Sequence, residues 1–139
     1  MPKRIHKIEG ISFGTASSNT RYGKKEYSLI VTLPQEAVLR GKFTSNKLKA
    51  APVILAIENL LNLKKTEKIL LINAGNANAA TGPTGLKDVR KYCKEIALDF
   101  KTSQENVIPF STGVIGEPLA VENYLSAFRE ASKSLSENK

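Results

Sequence analysis

Ser111-Thr112-Gly113-Val114-Ile115-Gly116 is the stretch of this sequence whose residue types and order are best suited to chemistry. It follows the apolar run Val107-Ile108-Pro109-Phe110 and precedes a segment of helical spacing from Val121. A junction of this kind can aim backbone N–H groups and a hydroxyl at a developing negative charge. The same residues also suit a structural turn, with Ser and Thr capping the next helix and the glycines permitting a tight bend. Ser111 has no base beside it, since His6 is the single histidine and is remote in sequence, and a nucleophilic serine needs a base. Any catalytic role for the turn is therefore charge stabilisation and not attack.

A second polar stretch, Asn73-Ala74-Gly75-Asn76-Ala77-Asn78-Ala79-Ala80-Thr81-Gly82, follows the buried-strand run Lys68-Ile69-Leu70-Leu71-Ile72. It lacks the Gly-x-Gly-x-x-Gly spacing that seats a pyrophosphate on a helix end, and it is not a P-loop. Small residues and three asparagines suit close backbone approach and side-chain-to-backbone hydrogen bonds, either as a structural loop or as one lining a site.

Other chemistries have little to work with. Cys93 is the single cysteine and falls on a helix's apolar stripe, which makes it a buried structural thiol; with one histidine, no zinc cluster is expected. The net charge of +8 is distributed along the chain in pairs such as Lys3-Arg4, Lys24-Lys25 and Lys64-Lys65, without interleaved aromatics. Solvated surface is the expectation, with an anionic substrate or acidic partner next and no nucleic acid. No apolar run reaches signal-peptide or membrane-spanning length, so a cytoplasmic protein without membrane contact is expected.

These residues need a scaffold, and 139 residues suit one compact domain burying about two-thirds of its unfolded surface. Alternating apolar residues predict strands over Arg4 to Phe13 and Glu26 to Leu33, joined by turn chemistry at Ser17 to Thr20 and Gly23. A third extended segment is predicted over Ala37 to Thr44, with Gly41 marking a bulge or a close backbone approach, giving a small, largely antiparallel sheet. Pro52 opens a helix that ends near Asn62. Thr84 to Lys101 is the clearest amphipathic helix, with Leu86, Val89, Cys93, Ile96, Ala97 and Phe100 on one face. A last helix from Val121 carries Tyr124, Leu125, Phe128 and Leu135, and residues 132–139 read as a loose tail. The fold class is α+β, a mixed arrangement in a single domain over 1–139.

Three motifs in order carry a resemblance. They are Gly41-Lys42-Phe43-Thr44-Ser45-Asn46 with Lys49-Ala50-Ala51-Pro52-Val53, then Ile72 through Gly82, then Ser111 through Gly116. Together they resemble the ornithine acetyltransferase (glutamate N-acetyltransferase) family of arginine biosynthesis, and a weaker match at Tyr22 to Ile30 extends the likeness towards the N-terminus. The resemblance is to the front part of the first, or alpha, chain of a precursor that cleaves itself before a threonine. It implies an incomplete part of a layered α-β-β-α sandwich, completed by a second (beta) chain whose N-terminal threonine is the nucleophile, within a larger hetero-oligomer.

The resemblance further implies a ping-pong transfer of acetyl from N-acetylornithine to glutamate through an acyl-threonine. Thr112 and Gly113 match the family's oxyanion-hole pair, and in that scheme Asn73, Asn76 and Asn78 are scaffolding near the site, not contacts. The threonine's own α-amino group would act as base, which removes the need for histidine. No metal or nucleotide cofactor is implied; acetyl-CoA is an alternative acetyl donor in members that also start the pathway. The family's Thr-Thr-Asp segment, substrate-binding lysine and nucleophile have no match as far as Lys139, so the chain alone is expected to be inactive and to expose an apolar surface that demands a partner. A self-processing aminopeptidase of related fold and an inactive binding module are the alternatives.

Overall fold

The computed structural model describes residues 6–18 and 27–137. Its elements run β1 (Ser12–Ser17), β2 (Tyr27–Leu33), α1 (Ala51–Leu61), β3 (Lys68–Asn76), α2 (Gly82–Asp99), a single 3-10 turn at Gln104–Asn106, β4 (Val107–Val114) and α3 (Val121–Ser132). The strands form one sheet in the order β1-β2-β3-β4. The first two pairings are antiparallel and β3 with β4 is parallel. The 18-residue α2 supplies the crossover that a parallel neighbour requires. The mixed α+β class expected from the sequence is the one found, with a sheet that is more than the antiparallel one anticipated.

Alternation divides the sheet into two unlike faces. Ile30, Ile69, Leu71 and Val107 join Leu55 of α1, Val89, Tyr92, Cys93 and Ile96 of α2, and Tyr124 and Phe128 of α3 in one core. The Tyr92 and Phe128 rings meet at 5.6 Å between centroids, tilted by 44°. On the other face, register aligns Phe13, Val31, Leu70 and Ile108 in one row and Thr15, Leu29, Ile72 and Phe110 in the next. Leu29, Val31, Leu70 and Ile72 are only half-buried there, and Phe110 is 45% exposed.

The helices follow the sequence closely. α1 carries Pro52 in its first turn and ends at the C-cap Asn62. It lies alongside β4, where Asn59 Nδ2 donates to the carbonyls of Gln104 (3.3 Å) and Val107 (2.8 Å). α2 begins and ends two residues before the predicted bounds, and its buried stripe includes Tyr92. Three surface ion pairs, Arg90–Glu58, Lys91–Glu122 and Arg129–Asp99, tie neighbouring helices together.

Four expectations are corrected. Ala37 to Thr44 forms no strand: residues 37–46 have no regular structure and Val38 is 76% exposed; β2, the hairpin partner next to it in sequence, is already paired on both sides by β1 and β3. Gly41 marks neither a bulge nor a close backbone approach: a Cβ there would lie 2.7 Å from the side chains of Leu60 and Phe43, not from another backbone. The first strand is Ser12–Ser17 and not Arg4 to Phe13; residues 6–11 are irregular, ending in a turn at 9–10. In the segment read as a tail, Leu135 packs on the core, Ser136 exchanges backbone hydrogen bonds with Phe13, and Glu137 pairs with Lys7 and accepts from the Gly10 N–H. Arg4, Ile5, the turn residues 19–20, Gly23 and most of the Tyr22 to Ile30 match lie outside the described residues.

Cys93 is wholly buried, as its place on the α2 stripe predicts. Burial pushes its thiol, and the phenol of the equally buried Tyr92, well above their ordinary values of 9.0 and 10.0. Both groups stay protonated in the folded chain while the unfolded chain ionises, so their stabilisation is intact below pH 9 and is lost as pH rises beyond it. The urea midpoint is expected to fall between pH 8 and pH 10.5, and Cys93 to resist thiol reagents at pH 8 until the chain unfolds. An unchanged midpoint would show that neither group is held neutral by the core.

Candidate functional site

The polar stretches at 73–82 and 111–116, far apart in sequence, are brought side by side by the parallel pairing of β3 and β4. Both strands run further than apolar residues alone indicate. β3 continues from Ile72 to Asn76, and β4 from Phe110 to Val114, with Asn73 opposite Ser111, Ala74 opposite Thr112, Gly75 opposite Gly113 and Asn76 opposite Val114. What reads as two loops is thus largely ladder, and only residues 77–81 and 115–120 are left as connections. The ladder is continued by Ala77 N–H donating to Val114 O (2.9 Å) and Gly116 N–H to Ala79 O (2.8 Å).

Glycine makes this extension feasible. Gly75 and Gly113 both have positive φ, +106° and +134°, and a Cβ on Gly113 would lie 2.2 Å from the Gly75 carbonyl carbon. The two backbones approach so closely that neither capping nor a free bend describes this turn. Nor does it cap a helix, because α3 starts at Val121 from Ala120, with no side-chain cap.

Asparagines satisfy the backbone groups that the irregular ladder leaves over. Asn73 Nδ2 donates to Asn76 O (2.9 Å), and Ser111 Oγ donates to Asn73 Oδ1 (2.6 Å). Asn76 Nδ2 donates to the carbonyls of Glu117 and Pro118 (both 3.2 Å), while its Oδ1 accepts from Asn78 N–H (2.7 Å). Asn78 Nδ2 donates to Gly85 O (2.9 Å), and its Oδ1 accepts from Thr81 Oγ (2.7 Å), which fastens the connection to the start of α2. All three asparagines are at most 5% exposed. Five of their bonds go to backbone groups, the side-chain-to-backbone bonding that their composition suits.

Two tyrosines stand behind the strands: Tyr124, which the sequence places on the last helix with no role at the site, and Tyr92, which the sequence reading does not name. Tyr124 of α3 donates from its hydroxyl to Ala74 O (3.2 Å). Tyr92 of α2 is wholly buried beside Ser111, and its hydroxyl makes no hydrogen bond of good geometry. Both stand on helical stripes whose spacing was the available signal, Tyr92 at three residues from Val89 and four from Ile96.

Thr112 and Gly113 are exposed, while Ser111 between them and the core is partly covered. By alternation the Thr112 side chain belongs to the helix-free face, one step beyond the row that ends at Phe110. A hydroxyl and a backbone N–H from consecutive residues, on a strand held from behind, is an arrangement that can hold an oxyanion. Among the described residues no group of three or more His, Cys, Asp or Glu could hold a metal ion, and no helix is long and apolar enough to cross a membrane.

The model of the ArgJ family matches residues 12–139. The chain is 37% identical over 135 residues to the arginine biosynthesis bifunctional protein ArgJ of Methylococcus capsulatus, covering 97% of this chain and 32% of that protein. It is 36% identical over 134 residues to the protein of the same name from Pseudomonas fluorescens, again spanning 32% of its length. Among solved structures it is similar to the arginine biosynthesis bifunctional protein argJ of Bacillus halodurans, with a TM-score of 0.76 and 27% identity over 88% of this chain and 63% of that one. The ornithine acetyltransferase of Mycobacterium tuberculosis, solved with ornithine, shares the fold with a TM-score of 0.83 at 24% identity, covering 94% of this chain and 69% of that one.

Proposed function

The chain belongs to the ArgJ family, and on that premise we propose that it is part of a glutamate N-acetyltransferase of arginine biosynthesis, contributing the oxyanion hole and not the nucleophile. A threonine from a second chain attacks the acetyl carbonyl of N-acetylornithine. The tetrahedral oxyanion accepts hydrogen bonds from the Thr112 hydroxyl and the Gly113 N–H. Its collapse expels ornithine and leaves an acyl-threonine, and the amine of glutamate then takes the acetyl group through a second oxyanion in the same place. The threonine's α-amino group carries the proton between steps, so the transfer uses no metal or nucleotide. Acetyl-CoA is an alternative donor.

The observation that supports this most directly is where Thr112 stands. It continues the side-chain rows of a sheet face on which Leu29, Val31, Leu70 and Ile72 stay half-buried and Phe110 is 45% exposed. An apolar face of this kind calls for cover. A second chain packed across it would carry its threonine to the end of the face where Thr112 and Gly113 lie, within a larger hetero-oligomer.

The test is an assay of the assembled enzyme, this chain together with its threonine-bearing partner. Ornithine and N-acetylglutamate are expected in equal amounts from N-acetylornithine and glutamate. Substituting acetyl-CoA for N-acetylornithine separates bifunctional from single-donor activity. Peptide hydrolysis without acetyl exchange would replace this reading with a self-processing aminopeptidase, and neither activity in a folded assembly would leave a binding module.

A further inference from the structure

We propose that Asn73 and Ser111 are a positioning pair that aims the Thr112 hydroxyl and the Gly113 N–H, an assignment that rests on the oxyanion role given above to those two residues. The pair sits one register step before them. Asn73 is 1% exposed and is bonded on both sides: its Oδ1 accepts the Ser111 hydroxyl at 2.6 Å, and its Nδ2 holds Asn76 O at 2.9 Å. The side chain therefore fixes β4 relative to β3 immediately before the site.

Three consecutive steps of the ladder are secured, two of them between the strands themselves and one from α3. Asn73 binds Ser111 at the first, Tyr124 binds Ala74 O at the second, and the Gly75 and Gly113 backbones pack at the third. Asn76, tied through its own carbonyl to Asn73, holds the far end by donating to Glu117 O and Pro118 O at 3.2 Å. The segment Thr112–Gly116, exposed throughout, is thus clamped at both of its ends by asparagines of β3.

The chemistry of the pair argues for aim over bulk stability. The neighbouring step of the same ladder on the helix-facing side, Leu71 with Pro109, is apolar and buried. An apolar pair at 73 and 111 would fill the same layer without directional bonds, whereas a hydrogen bond ties Ser111 to Asn73 at a set distance and direction and so holds the β4 backbone against β3 where it leads into Thr112. Only a few backbone bonds separate the fixed hydroxyl from the two donors. Small errors of aim matter, because donors act on the oxyanion only within a narrow range of distance.

Two measurements test the pair. In the assembled enzyme, Ser111→Ala and Asn73→Ala are each expected to lower kcat at least about fivefold with KM for N-acetylornithine within about twofold, and the double variant to lose little more than the worse single one. Ser111→Thr, which keeps the hydroxyl, is expected to recover most of kcat. In the chain itself, 15N relaxation is expected to show Thr112 and Gly113 as ordered as Ile69 to Leu71, and the variants to lower order at 112–113 alone, towards an S² of about 0.6. Should Asn73→Ala fail to fold, Ser111→Ala carries both readouts. Wild-type kcat per folded molecule with unchanged order at 112–113 would overturn the proposal. Relaxation needs no activity, so an assembly that transfers no acetyl group would sink the acetyltransferase reading while this measurement still decides the pair.

Discussion

Thr112→Ala in the assembled enzyme is expected to slow acetyl transfer by at least about tenfold, a lower bound on the hundredfold to thousandfold, about 3–4 kcal/mol, that losing one oxyanion donor typically costs. The fall should appear in kcat, with KM nearly unchanged, because the hydroxyl meets a charge that exists only as the tetrahedral intermediate forms. Folding should be spared. Thr112 is exposed at the end of a ladder whose register is set by its neighbours Ser111 and Gly113, and an exposed side chain of this kind rarely alters stability by more than about 0.5 kcal/mol. Thr112→Ser keeps a donor at the same bond distance from the backbone and should retain most of the activity, while Thr112→Val, equal in shape, should behave like alanine. Steady-state kinetics with a melting curve for each variant suffices. Wild-type turnover in Thr112→Ala would remove the hydroxyl from the oxyanion role and leave the backbone N–H as the sole donor on this chain.

The helices and the site's polar stretches were legible in the sequence for different reasons. α1, α2 and α3 announce themselves because burial on one side imposes a 3.6-residue period, and Pro52 and Pro83 stand within their opening turns. Strand ends are harder, because Asn73 to Asn76 and Ser111 to Val114 hold their ladder with glycine pairing and side-chain amides, neither of which has a hydrophobic period. The composition of Ala37 to Thr44 suits a strand, but a strand also depends on which neighbours it packs and pairs with, and its neighbour in sequence, β2, is taken on both sides by β1 and β3. Thr112 and Gly113 were found by resemblance to a family pattern. The sequence offers Ser111 as a potential cap, and its bond to Asn73 becomes visible only when positions 38 residues apart are aligned by the crossover through α2.

Gly113→Ala is expected to be the most damaging single-methyl change in the described part of the site. The residue has φ +134°, where an L side chain is strained by about 1–3 kcal/mol. The added Cβ would also lie 2.2 Å from Gly75 C, 2.4 Å from Gly75 O and 2.5 Å from Asn76 N, all backbone atoms of β3, so no rotamer change can relieve the overlap. Pushing the strands apart would break the pairing of Gly75 with Gly113 and strain the Asn73–Ser111 bond two residues back, a further cost of about 1–3 kcal/mol for overpacking. The combined loss, about 2–6 kcal/mol, is a large part of the 5–15 kcal/mol that stabilises a typical domain. Gly116→Ala is the control, because its φ is +81° and its added Cβ would meet nothing within 4 Å. It carries the torsional strain without the collision and should lose about 1–3 kcal/mol at most. Urea denaturation of both variants separates the two causes: a much larger loss at Gly113 assigns the difference to the close approach of β3 and β4, and equal losses would mean that φ alone requires glycine there.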